Sequence, residues 1–173
     1  NLKAAAELNV RATMKKFIVF ICLLSCEIYA SEPLLSENSY GPIQFGSQYS
    51  DVADVLGKSL TKTFPENTEC VQLKFENFPL AYFMVENGAI TRADLGKEGK
   101  NSLGIKSGEA TKDVLKKYSN IIVTPHKYDS NGHYLIFKSK NGKNAIVIEE
   151  SNGIITDIRA GLEPSVEYVE GCL

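Results

Sequence analysis

Two histidines, His126 and His133, stand seven residues apart with Asp129 between them, and the chain holds no others. Imidazole and carboxylate groups can ligate a metal, but zinc sites favour tighter spacings and a third strong ligand. The pair therefore reads as surface or half-buried histidines, with no metal and no cofactor expected. Glu149 and Glu150 are adjacent acids, and neighbours along a strand point to opposite faces. They are expected to face solvent rather than to work as a general acid and base. Gly104-Ile105-Lys106-Ser107-Gly108 carries its serine one place late for a nucleophile elbow. The run from Gly96 to Ser102 has the glycines and lysines of a phosphate loop without its four-residue gap or its closing Lys-Ser/Thr. No catalytic set emerges, and the chain is expected not to be an enzyme.

The aromatic residues are more informative. Tyr82, Phe83, Tyr128, Tyr134, Phe137 and Tyr168 fall in or beside apolar runs and most should be core. Tyr128 differs, because it shares a polar loop with His126, Lys127 and Asp129. Exposed tyrosines are enriched at binding surfaces. Residues 124–133 (TPHKYDSNGH) are thus either an ordinary connection or a binding loop, with His126, Lys127, Tyr128, Asp129 and His133 as its candidate contacts.

Four cysteines and one apolar run bear on the compartment. Lys15 and Lys16 precede the stretch from Phe17 to Ser25, and Ala30 is a small residue at a plausible cleavage point. This is the pattern of a secretory signal, and the apolar run is too short to span a bilayer. Met14 reads as the natural start, so that residues 1–13 are a vector remnant or an over-extended gene start and 14–30 a signal peptide. The alternative is a lipoprotein anchored through Cys26, since Leu23-Leu24-Ser25-Cys26 resembles a lipidation box. Cleavage after Ala30 leaves Cys70 and Cys172, which in an oxidising compartment read as one disulfide.

Over all 173 residues the net charge is −2, from 19 basic and 21 acidic side chains. Residues 1–30 hold four of the basic and two of the acidic ones, so the remainder has 15 and 19, a net charge of −4. That balance excludes a general nucleic-acid binder, which needs a basic stripe. With 43% hydrophobic residues, the composition also excludes a disordered or collagen-like chain.

The elements that must position these residues occur twice. Ile43-Gln44-Phe45-Gly46, Tyr49, Asp51-Val52-Ala53 and Leu56-Gly57 match Ile105-Lys106-Ser107-Gly108, Thr111, Asp113-Val114-Leu115 and Tyr118 at an offset of 62. Glu86-Asn87-Gly88-Ala89-Ile90-Thr91 matches Ser151-Asn152-Gly153-Ile154-Ile155-Thr156 at an offset of 65. Two landmarks in the same order read as an internal duplication. Tyr49, Val52, Ala53 and Leu56 have the spacing of one apolar helix face, as do Thr111, Val114, Leu115 and Tyr118. Ser47 suits the first N-cap and Gly57 the C-terminus. Val71, Leu73 and Phe75 alternate as in a strand with one wet face, and Leu80 to Val85 should lie deeper. Asn87-Gly88, Asn141-Gly142 and Asn152-Gly153 are hairpin turns. Strands return over 89–95, 133–138, 145–150 and 154–160.

The expected fold class is α+β, with two tandem repeats, each a short helix or helical hairpin on a three- to four-stranded antiparallel sheet. Residues 31–41 read as a loose N-terminal arm, 42–96 as repeat 1, 97–102 as a polar linker, and 103–173 as repeat 2 with a C-terminal segment.

Ile43-Gln44-Phe45-Gly46, followed by a short helix ending at Leu56-Gly57, resembles the opening of each repeat in the β-lactamase inhibitor protein family. Small outer-membrane assembly lipoproteins share that unit. Pro125-His126-Lys127-Tyr128, the ending Tyr168-Val169-Glu170-Gly171-Cys172 and the two-copy layout also look like a group of uncharacterised exported proteins of Gram-negative bacteria. The inhibitor resemblance implies two sheets forming a concave surface that grips an enzyme while a hairpin loop plugs its active site. That family's disulfides lie within its repeats, and Cys70 with Cys172 departs from the pattern.

These readings lead to a periplasmic or secreted binding protein, an inhibitor of an envelope enzyme acting by steric occlusion. The second expectation is a lectin-like or other small-ligand-binding envelope protein. The partner would be an envelope or secreted protein, or alternatively a glycan. Neither nucleic acid nor a transmembrane anchor is expected, and the chain should be a monomer or weak dimer.

Overall fold

The computed structural model describes residues 32–61 and 69–172. The expected signal peptide over residues 14–30, residues 1–13 and Cys26 all lie outside the described residues. Three two-residue strands come first among the described residues: β1 (Leu34–Leu35), β2 (Ser39–Tyr40) and β3 (Ile43–Gln44). Helix α1 (Tyr49–Leu56) leads to the meander β4 (Cys70–Phe75), β5 (Phe78–Glu86) and β6 (Ala89–Leu95). After β7 (Lys100–Asn101) come α2 (Thr111–Lys117), β8 (Ile122–Pro125), β9 (Gly132–Lys138), β10 (Asn144–Ser151) and β11 (Ile154–Leu162). A 3-10 turn over Ser165–Glu167 begins the C-terminal segment.

The α+β class holds, with strands predominating, but the expectation of a separate sheet for each half does not. Strands of both halves join in one seven-stranded sheet, ordered β4-β5-β6-β11-β10-β9-β8. The join is the antiparallel pairing of β6 with β11, from Ile158 opposite Leu95 to Gly161 opposite Arg92. Gly161 is what allows it. A Cβ there would run into the Thr91 carbonyl oxygen and lie 2.8 Å from Arg92 Cα. A second, smaller sheet has the order β3-β2-β1-β7.

Corresponding backbone bonds recur in the two halves. Gly46 donates to Ile90 O at 2.7 Å and Gly108 to Ile155 O at 2.8 Å. Tyr49 N–H reaches Gly88 O at 2.7 Å, and Thr111 N–H reaches Gly153 O at 2.9 Å. Both bonds hang the start of a helix on an Asn-Gly turn. Asn87 and Asn152 adopt left-handed φ values of 49° and 51°, and the glycines that follow have φ 80° and 79°. Two successive positive φ angles are what a tight hairpin of the favoured hand requires.

Both helices lie on one face of the large sheet and close the main core. Leu56 and Val114 are buried there with Phe75, Phe83, Ile90, Leu135, Ile146 and Ile148, and Tyr49, Val52 and Tyr118 pack against them. Leu115 departs from its predicted place on the apolar face and is 45% exposed. Helix α2 is only seven residues long, and its stripe narrows to Thr111 and Val114. Ser47 is not the N-cap; Gln48 occupies that position without a side-chain bond. The turn on Gly88 supplies the first helical N–H with its acceptor instead.

The arm and linker of the sequence reading are corrected together. Leu35 and Tyr40 are fully buried, so residues 32–41 of the expected arm are not loose. The supposed linker contains β7, which pairs in parallel with β1, Leu34 opposite Lys100. Buried Asn101 then binds the following turn through its amide, accepting from Leu103 and Ile105 N–H and donating to Ile105 O at 2.6 Å.

The opposite face of the large sheet is crossed by the C-terminal segment. Val166 is buried against Tyr134, Ile136, Ala145 and Val147. Cys172 then forms the expected disulfide with Cys70 on edge strand β4, with a Cα separation of 5.4 Å. Among the described residues no helix is long and apolar enough to cross a membrane.

Candidate functional site

The site is built on the strap-covered face, where β8, β9 and β10 carry polar groups inward. Tyr134 on β9 lies opposite Glu149 on β10 and Thr124 on β8. Val147 is opposite both Ile136 and Arg159. Alternation therefore sends Tyr134, Glu149 and Arg159 to one face, and the C-terminal strap covers them.

Arg159 holds the cluster together. Its Nε donates to Val166 O at 2.7 Å, one Nη pairs with Glu149 Oε1, and the guanidinium lies 5.7 Å from the Tyr134 ring centroid. The other oxygen of Glu149 meets His126 Nε2 at 3.3 Å. Glu149 is therefore not solvent-facing, and both its oxygens are engaged. Arg92 plays a parallel part further along the strap. It forks onto Asp94 and donates to Tyr168 O at 2.5 Å, while Ser165 Oγ bonds Glu86. Lys138 bridges Glu163 and Glu167 at 3.1 Å each. Those two carboxylates, Glu163 first, push the lysine above its ordinary range.

The 126–132 loop is anchored to this cluster through His126. The ring stacks on Tyr134 at 4.6 Å between centroids and 23° between planes. Its Nδ1 accepts the N–H groups of Tyr128 and Asp129, each at 3.1 Å, which leaves the ring hydrogen on Nε2 facing Glu149. Asp129 accepts from Ser151 Oγ at 2.6 Å and from Asn131 N–H at 2.9 Å. These two bonds, the hydroxyl's being the larger influence, hold its carboxyl below the usual aspartate range. His126 N–H closes the loop on Gly132 O at 3.0 Å. Gly132 lets the loop lie against β10, since a Cβ would come within 2.7 Å of Glu150 O.

Two side chains of the loop are left at the surface. Tyr128 is 62% exposed, with the Lys127 ammonium 5.0 Å from its ring centroid. Lys127 also lines a shallow groove with Glu167, Tyr168, Val169, Glu170 and Gly171, so loop and strap form one continuous surface. Behind it a cleft of about 200 Å³ is bounded by Thr124, Pro125, Tyr134, Ile136, Val147, Arg159 and Glu167.

Of the five predicted contacts the structure brings together His126, Lys127, Tyr128 and Asp129. His133 is elsewhere. It neighbours Tyr134 on β9 and so faces the other side of the sheet, where its Nδ1 meets Glu150 Oε1 at 2.5 Å. Glu150 is 4% exposed and also accepts from Gly153 N–H and Thr111 Oγ1, tying α2 to the β10–β11 turn. The two histidines thus serve different glutamates on different faces. Among the described residues no three His, Cys, Asp or Glu side chains are grouped to hold a metal ion. Sequence reasoning did not find Arg159, Arg92 or the strap. The one available signal was arginine inside an otherwise apolar strand, as in Ile154 to Leu162.

No family model matches the chain, and no curated protein matches it. Among solved structures it is similar to an extracellular protein containing an SCP domain from Bacillus anthracis, at 14% identity and a TM-score of 0.41. The match covers 69% of this chain and spans 44% of the length of that one.

Proposed function

We propose that the protein is an exported, non-enzymatic binding module that engages a protein partner through the 126–132 crest and the adjoining strap. The observation that carries this reading is Tyr128, held 62% exposed on a loop whose backbone is pinned at both ends. A large aromatic on a pre-ordered loop gives contact area at little ordering cost. Lys127, Glu167 and Glu170 around it supply a mixed polar rim. Binding by such a projection is steric, and an inhibitor of an envelope enzyme would act by filling that enzyme's cleft.

The polar cluster supports a scaffolding role rather than catalysis. Both oxygens of Glu149 and both nitrogens of His126 are engaged by protein groups. The Cys70–Cys172 disulfide supports export to an oxidising compartment. We also infer that the two halves descend from one duplicated unit, since their helix-to-turn bonds correspond and β5-β6 and β10-β11 flank the central seam in mirrored order.

The test pairs affinity capture from envelope extract with a glycan array, using the disulfide-bonded protein. A stoichiometric protein captured by wild type and lost with Tyr128→Ala is the expected result. Saturable glycan binding with no captured protein would replace the inhibitor reading with the lectin-like one.

A further inference from the structure

Away from the crest, residues 97–101 and 104–106 line a cleft of about 390 Å³ together with Leu34. Leu34, 46% exposed, provides the apolar wall, and the exposed lysines Lys97, Lys100 and Lys106 line the same opening. Glu98 is the acidic side chain among its lining residues. Lys100 pairs with exposed Glu32 at the surface, whereas among the described residues neither Lys97 nor Lys106 takes part in an ion pair. Glu109 is the other acid close by, and it accepts the backbone N–H of Lys106 at 3.0 Å.

The wall is built in advance of any ligand. Asn101 fixes the 101–105 turn through three bonds, and Lys117 Nζ donates to Leu103 O at 3.0 Å. Gly104, at φ 66°, presents no side chain, and a Cβ there would meet only Lys117 Nζ at 3.9 Å. Around the opening three lysines, Lys97, Lys100 and Lys106, stand against Glu98 and the Glu32 that pairs with Lys100, in a protein whose residues 31–173 sum to −4. A local positive field of this kind draws anions toward its opening.

We propose that this cleft binds a small amphiphilic anion, a single carboxylate or phosphate head carried on an aliphatic tail. The head sits between the ammonium groups of Lys97 and Lys106, and the tail lies along Leu34. A purely apolar ligand would leave those ammonium groups unused, and an inorganic anion would leave the apolar wall bare. The site is separate from the Tyr128 crest and does not depend on that reading.

The experiment is an amide and side-chain NMR titration of the disulfide-bonded protein with octanoate, repeated with inorganic phosphate and with phosphatidylglycerol vesicles. Octanoate is expected to shift Lys97, Gly99, Ile105 and Lys106 saturably, with phosphate much weaker. Lys97→Glu/Lys106→Glu, at two exposed positions that leave the melting temperature unchanged, should weaken octanoate by about tenfold or more, since each substitution turns an attraction into a repulsion. Leu34→Ser should weaken octanoate and leave phosphate unaffected. Vesicle capture that requires both lysines would make the head a membrane lipid's, and octanoate binding without vesicle capture would make the ligand a free amphiphile. Absence of saturable shifts at millimolar octanoate overturns the proposal. So do shifts that survive the double substitution, or equal affinity for phosphate.

Discussion

His126 stacks on Tyr134 with ring centroids 4.6 Å apart, while the same imidazole accepts the backbone N–H groups of Tyr128 and Asp129. One side chain therefore joins the interior of the sheet to the exposed crest. The crest's geometry is set by the buried Tyr134–Glu149–Arg159 cluster rather than by the loop alone.

That cluster is costly to break from one side. Arg159→Met leaves Glu149 facing the apolar strap with His126 as its remaining partner, and the loss is expected to be about 3 kcal/mol. Arg159→Met/Glu149→Met removes both charges and should recover most of it, to within about 1 kcal/mol of wild type. Urea unfolding of the two single variants and the double one measures the coupling.

The seam between the halves rests on a missing side chain. Gly161→Ala puts a Cβ against the Thr91 carbonyl and 2.8 Å from Arg92 Cα, so β6 and β11 must part. A destabilisation of about 2 kcal/mol or more is expected from such backbone overpacking. Gly142→Ser offers a control: nothing lies within 4 Å of its Cβ, although its φ of 69° adds a smaller backbone strain. Thermal unfolding separates the two.

The disulfide closes a loop of about a hundred residues between Cys70 and Cys172. Chain entropy alone assigns such a closure roughly 4–5 kcal/mol, and native strain and residual structure commonly reduce it. Cys70→Ser/Cys172→Ser should cost about 2–4 kcal/mol. The strap should nonetheless stay on the sheet, because Arg92 and Arg159 hold it through Tyr168 O and Val166 O. Urea titration reads the first quantity and amide exchange over 163–171 the second.

Acid should loosen the crest through Asp129. Its carboxyl is held below the ordinary range in the folded state, so its stabilisation is complete above the unfolded aspartate value, about pH 4. The contribution is then lost as pH falls through the lower folded value. Asp129→Asn lacks this titration. The gap in melting temperature between wild type and Asp129→Asn is expected to be widest near neutral pH and to close progressively below about pH 4.

Local pattern made much of this architecture legible. Helix α1 occupies the span that Tyr49, Val52, Ala53 and Leu56 mark out, and the Asn-Gly pairs at 87–88 and 152–153 turn as their types require. Cys70 and Cys172, the cysteines beyond residue 30, form the bridge that their number implies. What pattern could not reach is long-range. Two-residue strands such as β1 and β7 have too few positions to show a period, and their parallel pairing joins residues 66 positions apart. The union of β6 with β11 depends on Gly161, whose role is visible only once Arg92 lies beside it. Proximity in sequence sets His133 beside His126, but one step along a strand reverses the face. The role of Arg159 is not local, because its partners lie on the strap and on a neighbouring strand.

Tyr128, displayed by this scaffold, is the proposed partner contact. Its direct test is side-by-side capture from envelope extract with wild type and Tyr128→Ala at equal load, after confirming that the two proteins melt together. The expected result is one stoichiometric protein retained by wild type and reduced at least about tenfold by the substitution, the scale of a hot-spot truncation. Undiminished capture by Tyr128→Ala would contradict the account.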